Sequence, residues 1–236
     1  CTRIGHRLSG SPQLEQAIDW SVETMKNDGQ ENVRREKVTV PHWVRGQESV
    51  TMIEPRVERL AMLGLGGSIG TPPEGITAPV VVVNGKDELD AIGDQAKGKI
   101  VLFNNIMPPY DPEKGSGYGT AVQYRGKGAS LASEKGAVAC LIRSVTAKSL
   151  RSPHTGAMRY GANDKKIPAA ALSTEDADTI ARLQARGIPV VVNIKMEAQT
   201  LPDAPSANVI GELRGSTQPD EVVVIGGHID SWDVGQ

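Results

Sequence analysis

A histidine and an aspartate two positions apart, His228 and Asp230, are the residues whose types and spacing best suggest chemistry. One imidazole nitrogen can bind a metal ion while a nearby carboxylate accepts a hydrogen bond from the other nitrogen. That bond fixes the tautomer and makes the ring more basic. A histidine that only satisfies hydrogen bonds in a strand-to-loop turn explains the spacing equally well. From spacing alone, both interpretations stay open.

The residues before this pair predict how it would be positioned. Four branched apolar residues at 222–225 are typical of a strand buried on both faces, and two glycines follow them. Open α/β sheets place their ligands at the carboxyl ends of such strands. The sequence therefore predicts a buried strand at 221–227 that ends at His228.

The composition favours a globular chain with a buried core. Its 236 residues are 39% hydrophobic, with a mean hydropathy of −0.28 and a net charge of −2. That length allows one large domain or two medium ones. No block of Lys and Arg is long enough to predict a nucleic-acid surface, and no apolar run approaches the roughly 20 residues needed to span a bilayer. Neither Cys1 nor Cys140 has metal-type spacing, and Cys140 is expected to be a core residue.

The order of predicted elements indicates an α/β fold with an inserted domain. A helix is expected from Ser11 to about Asn27, followed by a strand at 33–40. Strands and crossover helices then alternate in the manner of parallel units. The proline-rich stretch 201–206 is predicted to be a linker, and strands at 208–213 and 221–227 would form a hairpin. The predicted domains are residues 1–57, 58–197 and 198–236.

Motifs spread over the whole chain resemble the zinc exopeptidase family that includes the carboxypeptidase Q group, bacterial aminopeptidases and glutamate carboxypeptidase II. A lone Gly-His-x-Asp-Ser would not be specific, but the motifs run from end to end. The resemblance implies part of a zinc-exopeptidase α/β domain with an inserted protease-associated (PA) α/β domain. The motifs include Gly-Ser-Pro-Gln-Leu-Glu at 10–15, Pro-His-Trp at 41–43, Ser-Pro-His-Thr-Gly at 152–156, and Gly-His-Ile-Asp-Ser-Trp-Asp-Val-Gly-Gln at 227–236.

The resemblance also implies what the site does. It makes His228 a zinc ligand and Asp230 the catalytic aspartate that holds it, in a site with two Zn²⁺ ions. It implies short peptides as substrates, chiefly dipeptides with free termini. It further implies a homodimer and a secreted, periplasmic or lysosomal location, while the composition given above predicts neither a nucleic-acid partner nor a membrane span.

The resemblance places the remaining ligands and a glutamate general base beyond Gln236. The chain is therefore expected to be an N-terminal fragment that ends after its first zinc ligand. A zinc site needs three or four protein ligands. For this reason the fragment alone is expected to bind zinc weakly and to be inactive.

Other candidates and functions stay open. His154 lies on a predicted loop of the inserted domain, where it would contact a substrate terminus or only satisfy local backbone groups. The glycines at 66–70 miss the spacing of a dinucleotide-binding loop, and no nucleophile elbow predicts a serine hydrolase. The competing function is non-catalytic, either a PA-domain binding module or a degenerate peptidase-like ectodomain. Asp-Asp-Gly followed by Glu-Glu beyond Gln236 would favour the enzyme.

Overall fold

The computed structural model describes residues 3–147 and 150–232. They divide into two compact units. Unit 1 contains the described residues up to Val44 and those from Thr200 onward, and unit 2 runs from Arg45 to Gln199. Both units combine helices with strands, as the predicted α/β class requires.

Unit 1 begins with helix α1 (Pro12–Asn27). The Ser11 hydroxyl caps it by accepting a hydrogen bond from the Leu14 N–H at 3.2 Å, and Pro12 occupies the first position, where no N–H is needed. The buried face contains Leu14, Ala17 and Ile18. The predicted helix is confirmed. It could be predicted because the residues that start and end it are neighbours in the sequence.

Strands β1 (Glu31–Val44) and β10 (Gln199–Glu212) form a two-stranded sheet in the part of the chain that the structure describes. Asn32 Nδ2 and Arg34 Nη1 donate to the Glu212 carboxylate at 2.9 and 2.7 Å. The start of β1 therefore lies beside the end of β10. The Ser206 hydroxyl donates to Glu15 Oε1 at 2.8 Å, which ties β10 to α1.

The predicted linker at 201–206 is wrong, because these residues lie inside β10. Pro202 and Pro205 suggested a break. Both strands of a two-stranded sheet are edge strands, however, and an edge strand leaves alternate N–H groups unpaired. Edge strands tolerate proline better than central strands do, so the two prolines do not exclude a strand here.

The buried strand predicted at 221–227, and the hairpin it would form, are also absent. These residues lie outside every helix and strand of the described chain. A branched apolar run becomes a buried strand only where neighbouring strands supply hydrogen bonds and packing. None of the described strands pairs with this run. Its four side chains are 82–93% exposed: Val222, Val223, Val224 and Ile225.

Unit 2 is built around an eight-stranded sheet in the order β3-β2-β9-β5-β6-β7-β8-β4. The central strands β5 to β8 pair in parallel, and β2, β3, β4 and β9 join the sheet through antiparallel pairs. The strands are β2 (Glu48–Glu54), β3 (Glu58–Leu60), β4 (Met62–Gly64), β5 (Ile76–Val83), β6 (Ile100–Phe103), β7 (Ala139–Arg143), β8 (Ala169–Leu172) and β9 (Val191–Met196).

Three α-helices of unit 2 connect these strands: α2 (Lys86–Ile92), α3 (Tyr118–Glu134) and α4 (Thr174–Ala185). A 3-10 turn at Gly93–Ala96 follows α2. Ser173 caps α4 through a hydrogen bond from the Asp176 N–H at 3.1 Å, as its position predicts. Among the described residues, none of the helices has the length and hydropathy needed to cross a lipid bilayer.

The core of unit 2 lies between the parallel strands and α3. The helix presents small residues, so it packs closely on the sheet, and a Cβ added to Gly128 would lie 3.2 Å from the Phe103 ring. Phe103 also stacks on Tyr124, with ring centroids 4.9 Å apart. Cys140 is fully buried in β7, which confirms its predicted place in the core. Burial raises the pKa of its thiol, so Cys140 is unsuited to nucleophilic chemistry.

Unit 2 begins earlier than the predicted boundary between residues 57 and 58. Strand β2 precedes that boundary, yet it pairs with both β3 and β9. The sequence does not show this pairing because β2 and β9 are far apart along the chain. The compact unit accordingly runs from Arg45 to Gln199.

Candidate functional site

His228 and Asp230 are in direct contact. His228 Nδ1 and Asp230 Oδ1 lie 2.8 Å apart, and their side chains are 91% and 50% exposed. Because this contact uses Nδ1, the ring keeps Nε2 for a second partner. A carboxylate that holds one ring nitrogen while the other binds a metal ion is the arrangement found around metal-binding histidines.

The described residues provide only part of a metal site. Residues 3–147 and 150–232 contain no group of three or more His, Cys, Asp or Glu side chains that could hold an ion. A zinc site needs three or four protein ligands. His228 therefore fits zinc as one ligand, by its donor atom and its carboxylate partner. The end of the motif, from Asp233 onward, lies outside the described residues.

Arg7 holds the segment that carries the pair. Its Nε donates to the Ile229 carbonyl at 2.6 Å, and its Nη1 donates to the Gly5 carbonyl at 2.6 Å. The backbones of Arg7 and Ser231 form an antiparallel bridge, in which the Ser231 N–H donates to the Arg7 carbonyl at 2.9 Å. The sequence did not predict this contact, because 222 positions separate Arg7 from Ile229.

A cavity of about 610 Å³ in unit 1 borders this segment. Its walls include Gln16 and Trp20 of α1 together with His228. Trp20 is 54% exposed, so the indole presents much of its apolar surface. The candidate ligand His228 therefore lines an open, largely apolar cavity.

His154 lies in unit 2, on a loop that is firmly tied to the sheet. Its backbone N–H donates to the Ser144 hydroxyl at 2.8 Å, and the next residue, Thr155, donates from its hydroxyl to the Gly64 carbonyl at 3.0 Å. The His154 ring meets Tyr118 edge-on, with centroids 6.2 Å apart. These contacts account for the loop, and the predicted substrate contact of His154 stays a prediction.

An arginine that the sequence did not single out adjoins His154. Arg125 Nη1 donates to the Tyr118 hydroxyl at 2.8 Å and to the Thr155 carbonyl at 3.4 Å. Gly156 leaves room for it, since a Cβ there would lie 2.6 Å from the guanidinium carbon. Tyr118 and Arg125 are seven positions apart on α3, which places them on the same face of the helix. This spacing is the local signal in the sequence by which their contact could have been predicted.

Comparison with known proteins supports the resemblance found in the sequence. Residues 76–180 match the family model described as "PA domain". Carboxypeptidase Q from Bos taurus is 51% identical over 233 residues, which are 99% of this chain and 48% of that protein. Carboxypeptidase Q from Homo sapiens is 49% identical over the same shares. The chain thus spans about half the length of the curated relatives it matches.

Solved structures agree with these relatives. A peptidase M28 precursor from Shewanella amazonensis superposes with a TM-score of 0.90 at 38% identity, over 98% of this chain and 52% of that one. A zinc aminopeptidase from Bacillus subtilis superposes with a TM-score of 0.60 at 18% identity, over 91% of this chain and 44% of that one, and so supports the fold alone. The predicted resemblance to the carboxypeptidase Q group and the predicted PA domain are confirmed.

Proposed function

We propose that this chain is part of a zinc metallo-exopeptidase of the carboxypeptidase Q kind, which hydrolyses short peptides by means of a metal-activated water. The observation that carries the proposal is the contact between His228 and Asp230 at 2.8 Å, which leaves Nε2 for a metal ion. The carboxypeptidase Q relatives, which are 51% and 49% identical over 99% of this chain, support the class of enzyme.

The roles of the two residues follow from their chemistry. His228 contributes the Nε2 lone pair as one zinc ligand. Asp230 accepts a hydrogen bond from Nδ1–H, which fixes the tautomer and keeps the ring oriented. When bound, zinc supplies a water of lowered pKa and a Lewis acid for the scissile carbonyl. Two ions per site, and dipeptides with free termini as substrates, belong to the proposal through the family resemblance.

Unit 2 enters the proposal as the PA domain inserted into the peptidase. The described residues up to Val44 and those from Thr200 onward are assigned to the peptidase domain itself. His154 is assigned a contact with a substrate terminus, because an imidazole N–H and the guanidinium of the neighbouring Arg125 can donate hydrogen bonds to a carboxylate. The retained His228 and Asp230 favour the enzyme over a non-catalytic binding module, which would have no need of either residue.

The test uses the longer protein that contains this chain. His228→Ala should lose one zinc ion and nearly all turnover, because a first ligand is removed. Asp230→Asn should keep more metal and still lower the rate, since changing the partner of a ligand costs about 10–100-fold in affinity or activity. Zinc content and kcat for dipeptides are the measurements.

His6→Ala is the matched control, because His6 is an exposed histidine of unit 1 that lies outside the pair. It should leave both zinc content and turnover unchanged. A His228→Ala protein with full zinc and full activity would refute the assignment. Zinc retained in every variant without any peptidase activity would instead favour the binding module.

A further inference from the structure

We infer that Arg7 is a positioning residue for His228, and that its guanidinium fixes the backbone from which the imidazole is presented. The inference rests on the proposed function, in which His228 binds zinc. Arg7 itself touches neither the imidazole nor the Asp230 carboxylate in the described hydrogen bonds. It acts instead through the peptide group between Ile229 and Asp230, whose carbonyl it binds.

The contacts converge on Ile229 and Ser231, the two residues that flank Asp230. Arg7 Nε donates to the carbonyl of Ile229, and the Arg7 backbone exchanges hydrogen bonds with Ser231, whose hydroxyl accepts from the Arg7 N–H at 3.2 Å. Asp230, the partner of His228, lies between these two anchored residues. The Arg7 contacts therefore hold both ends of the peptide that carries the carboxylate.

The surroundings make this anchoring decisive. Residues 221–228 are all exposed and belong to no helix or strand, whereas Ile229 and Ser231 are partly buried. Partial burial in this part of the described chain therefore resumes at the residues that Arg7 binds. A metal ligand must be held to within about 0.5 Å for productive geometry, so its backbone needs such an anchor.

The chemistry of the side chain suits the task. Nε and Nη1 belong to one rigid plane, and they bind the Ile229 and Gly5 carbonyls at 2.6 Å each. A lysine has a single flexible ammonium group and cannot reproduce this fork. The positive charge repels a nearby zinc ion, so a purely electrostatic Arg7 would weaken metal binding. An Arg7 that positions His228 strengthens metal binding. The two roles therefore predict opposite changes in zinc affinity when Arg7 is replaced by alanine.

The experiment uses the longer protein with Arg7→Ala, Arg7→Lys and the control Arg3→Ala. Arg3 borders the same cavity and makes none of the hydrogen bonds to Ile229 described for Arg7. Three quantities are measured: zinc affinity by chelator competition, kcat separately from KM, and amide hydrogen exchange at 229–231. Thermal melting shows which variants are folded.

Arg7→Ala should weaken zinc binding about 10–100-fold, the range found when the support of a ligand is lost. It should lower kcat with little change in KM and speed exchange at 229–231. Arg7→Lys should fall between Arg7→Ala and the wild type, and Arg3→Ala should match the wild type. If Arg7→Ala does not fold, Arg7→Lys alone decides, and wild-type zinc affinity in that variant overturns the inference.

Unchanged or tighter zinc binding in folded Arg7→Ala also overturns it, even where exchange at 229–231 is faster. His228→Ala in the same series separates the two questions. If His228→Ala loses zinc while Arg7→Ala does not, the proposed function stands and the inference about Arg7 fails. If His228→Ala keeps zinc and activity, the proposed function itself fails.

Discussion

At the scale of single residues, Arg143 shows how unit 2 accommodates a charge in its interior. The side chain is 8% exposed at the end of β7. Its Nη1 donates to Asn104 Oδ1 and to the Thr174 carbonyl, each at 3.2 Å, and it is paired with the Asp178 carboxylate. The guanidinium thus joins the end of β6, the end of β7 and helix α4.

Asp178→Ala should lower the unfolding free energy by about 1–2 kcal/mol, because a buried guanidinium loses a charged partner that is itself about one-third exposed. Asp178→Asn is the matched variant, and its amide oxygen should recover part of the loss. Urea denaturation of both variants measures the difference. Equal stability of Asp178→Ala and the wild type would show that Asn104 and Thr174 satisfy Arg143 without it.

Residues of the candidate site could be predicted from the sequence where their contacts join near neighbours along the chain, and not where the contacts join distant positions. His228 and Asp230 were predicted because two positions separate them, which is close enough for the spacing itself to indicate a contact. Arg7 reaches the same segment from the far end of the chain, and Arg143 reaches Asp178 across 35 positions. No periodicity or motif encodes such pairs, since they depend on the assembled fold.

At the scale of elements, the helices and strands that have local signals in the sequence were predicted correctly. Strands that depend on pairing with a distant strand were predicted poorly. The caps Ser11 and Ser173 and the core strand β7 follow from a few neighbouring residues. Residues 201–206 form a strand because they belong to β10, which pairs with β1. Residues 221–227 form no strand, because the described residues supply no partner for them. A branched apolar run indicates a tendency to form a strand, and pairing decides whether one forms.

The exposed run at 222–225 should make the chain prone to self-association. Four adjacent side chains with high strand propensity and exposures of 82–93% can pair with the same run of another copy. Val224→Lys should reduce light scattering at high concentration, because a charge in the run opposes stacking. Gln218→Lys adds the same charge at an exposed polar position and should have a smaller effect. Equal scattering by the two variants would place the association elsewhere.

At the scale of the whole molecule, unit 2 has the features of an independent domain. It has its own eight-stranded sheet and a buried cluster that includes Phe103, Cys140 and Ile142. Its length lies in the usual range for domains. It contains the whole of the PA match, residues 76–180.

Residues 45–199 expressed alone should therefore unfold in one cooperative transition. Circular dichroism and tyrosine fluorescence should give coincident urea curves, which is the sign of a two-state domain. A version starting at residue 58 lacks β2 and with it the pairing to β3 and β9, so it should be less stable. If the two versions were equally stable, β2 would be dispensable and the shorter boundary would be the better one.

The neighbouring positions of β1 and β10 have a consequence for how such a chain can evolve. The chain leaves β1 for unit 2 and returns into β10, and just inside unit 2 the Glu197 N–H donates to the Gln47 carbonyl at 3.0 Å. Entry and exit thus lie side by side. Replacing all of unit 2 by one tight turn would leave β1 and β10 as an ordinary hairpin, at little cost in loop closure. Whole modules can therefore be gained, lost or exchanged at this point while the host strands keep their pairing.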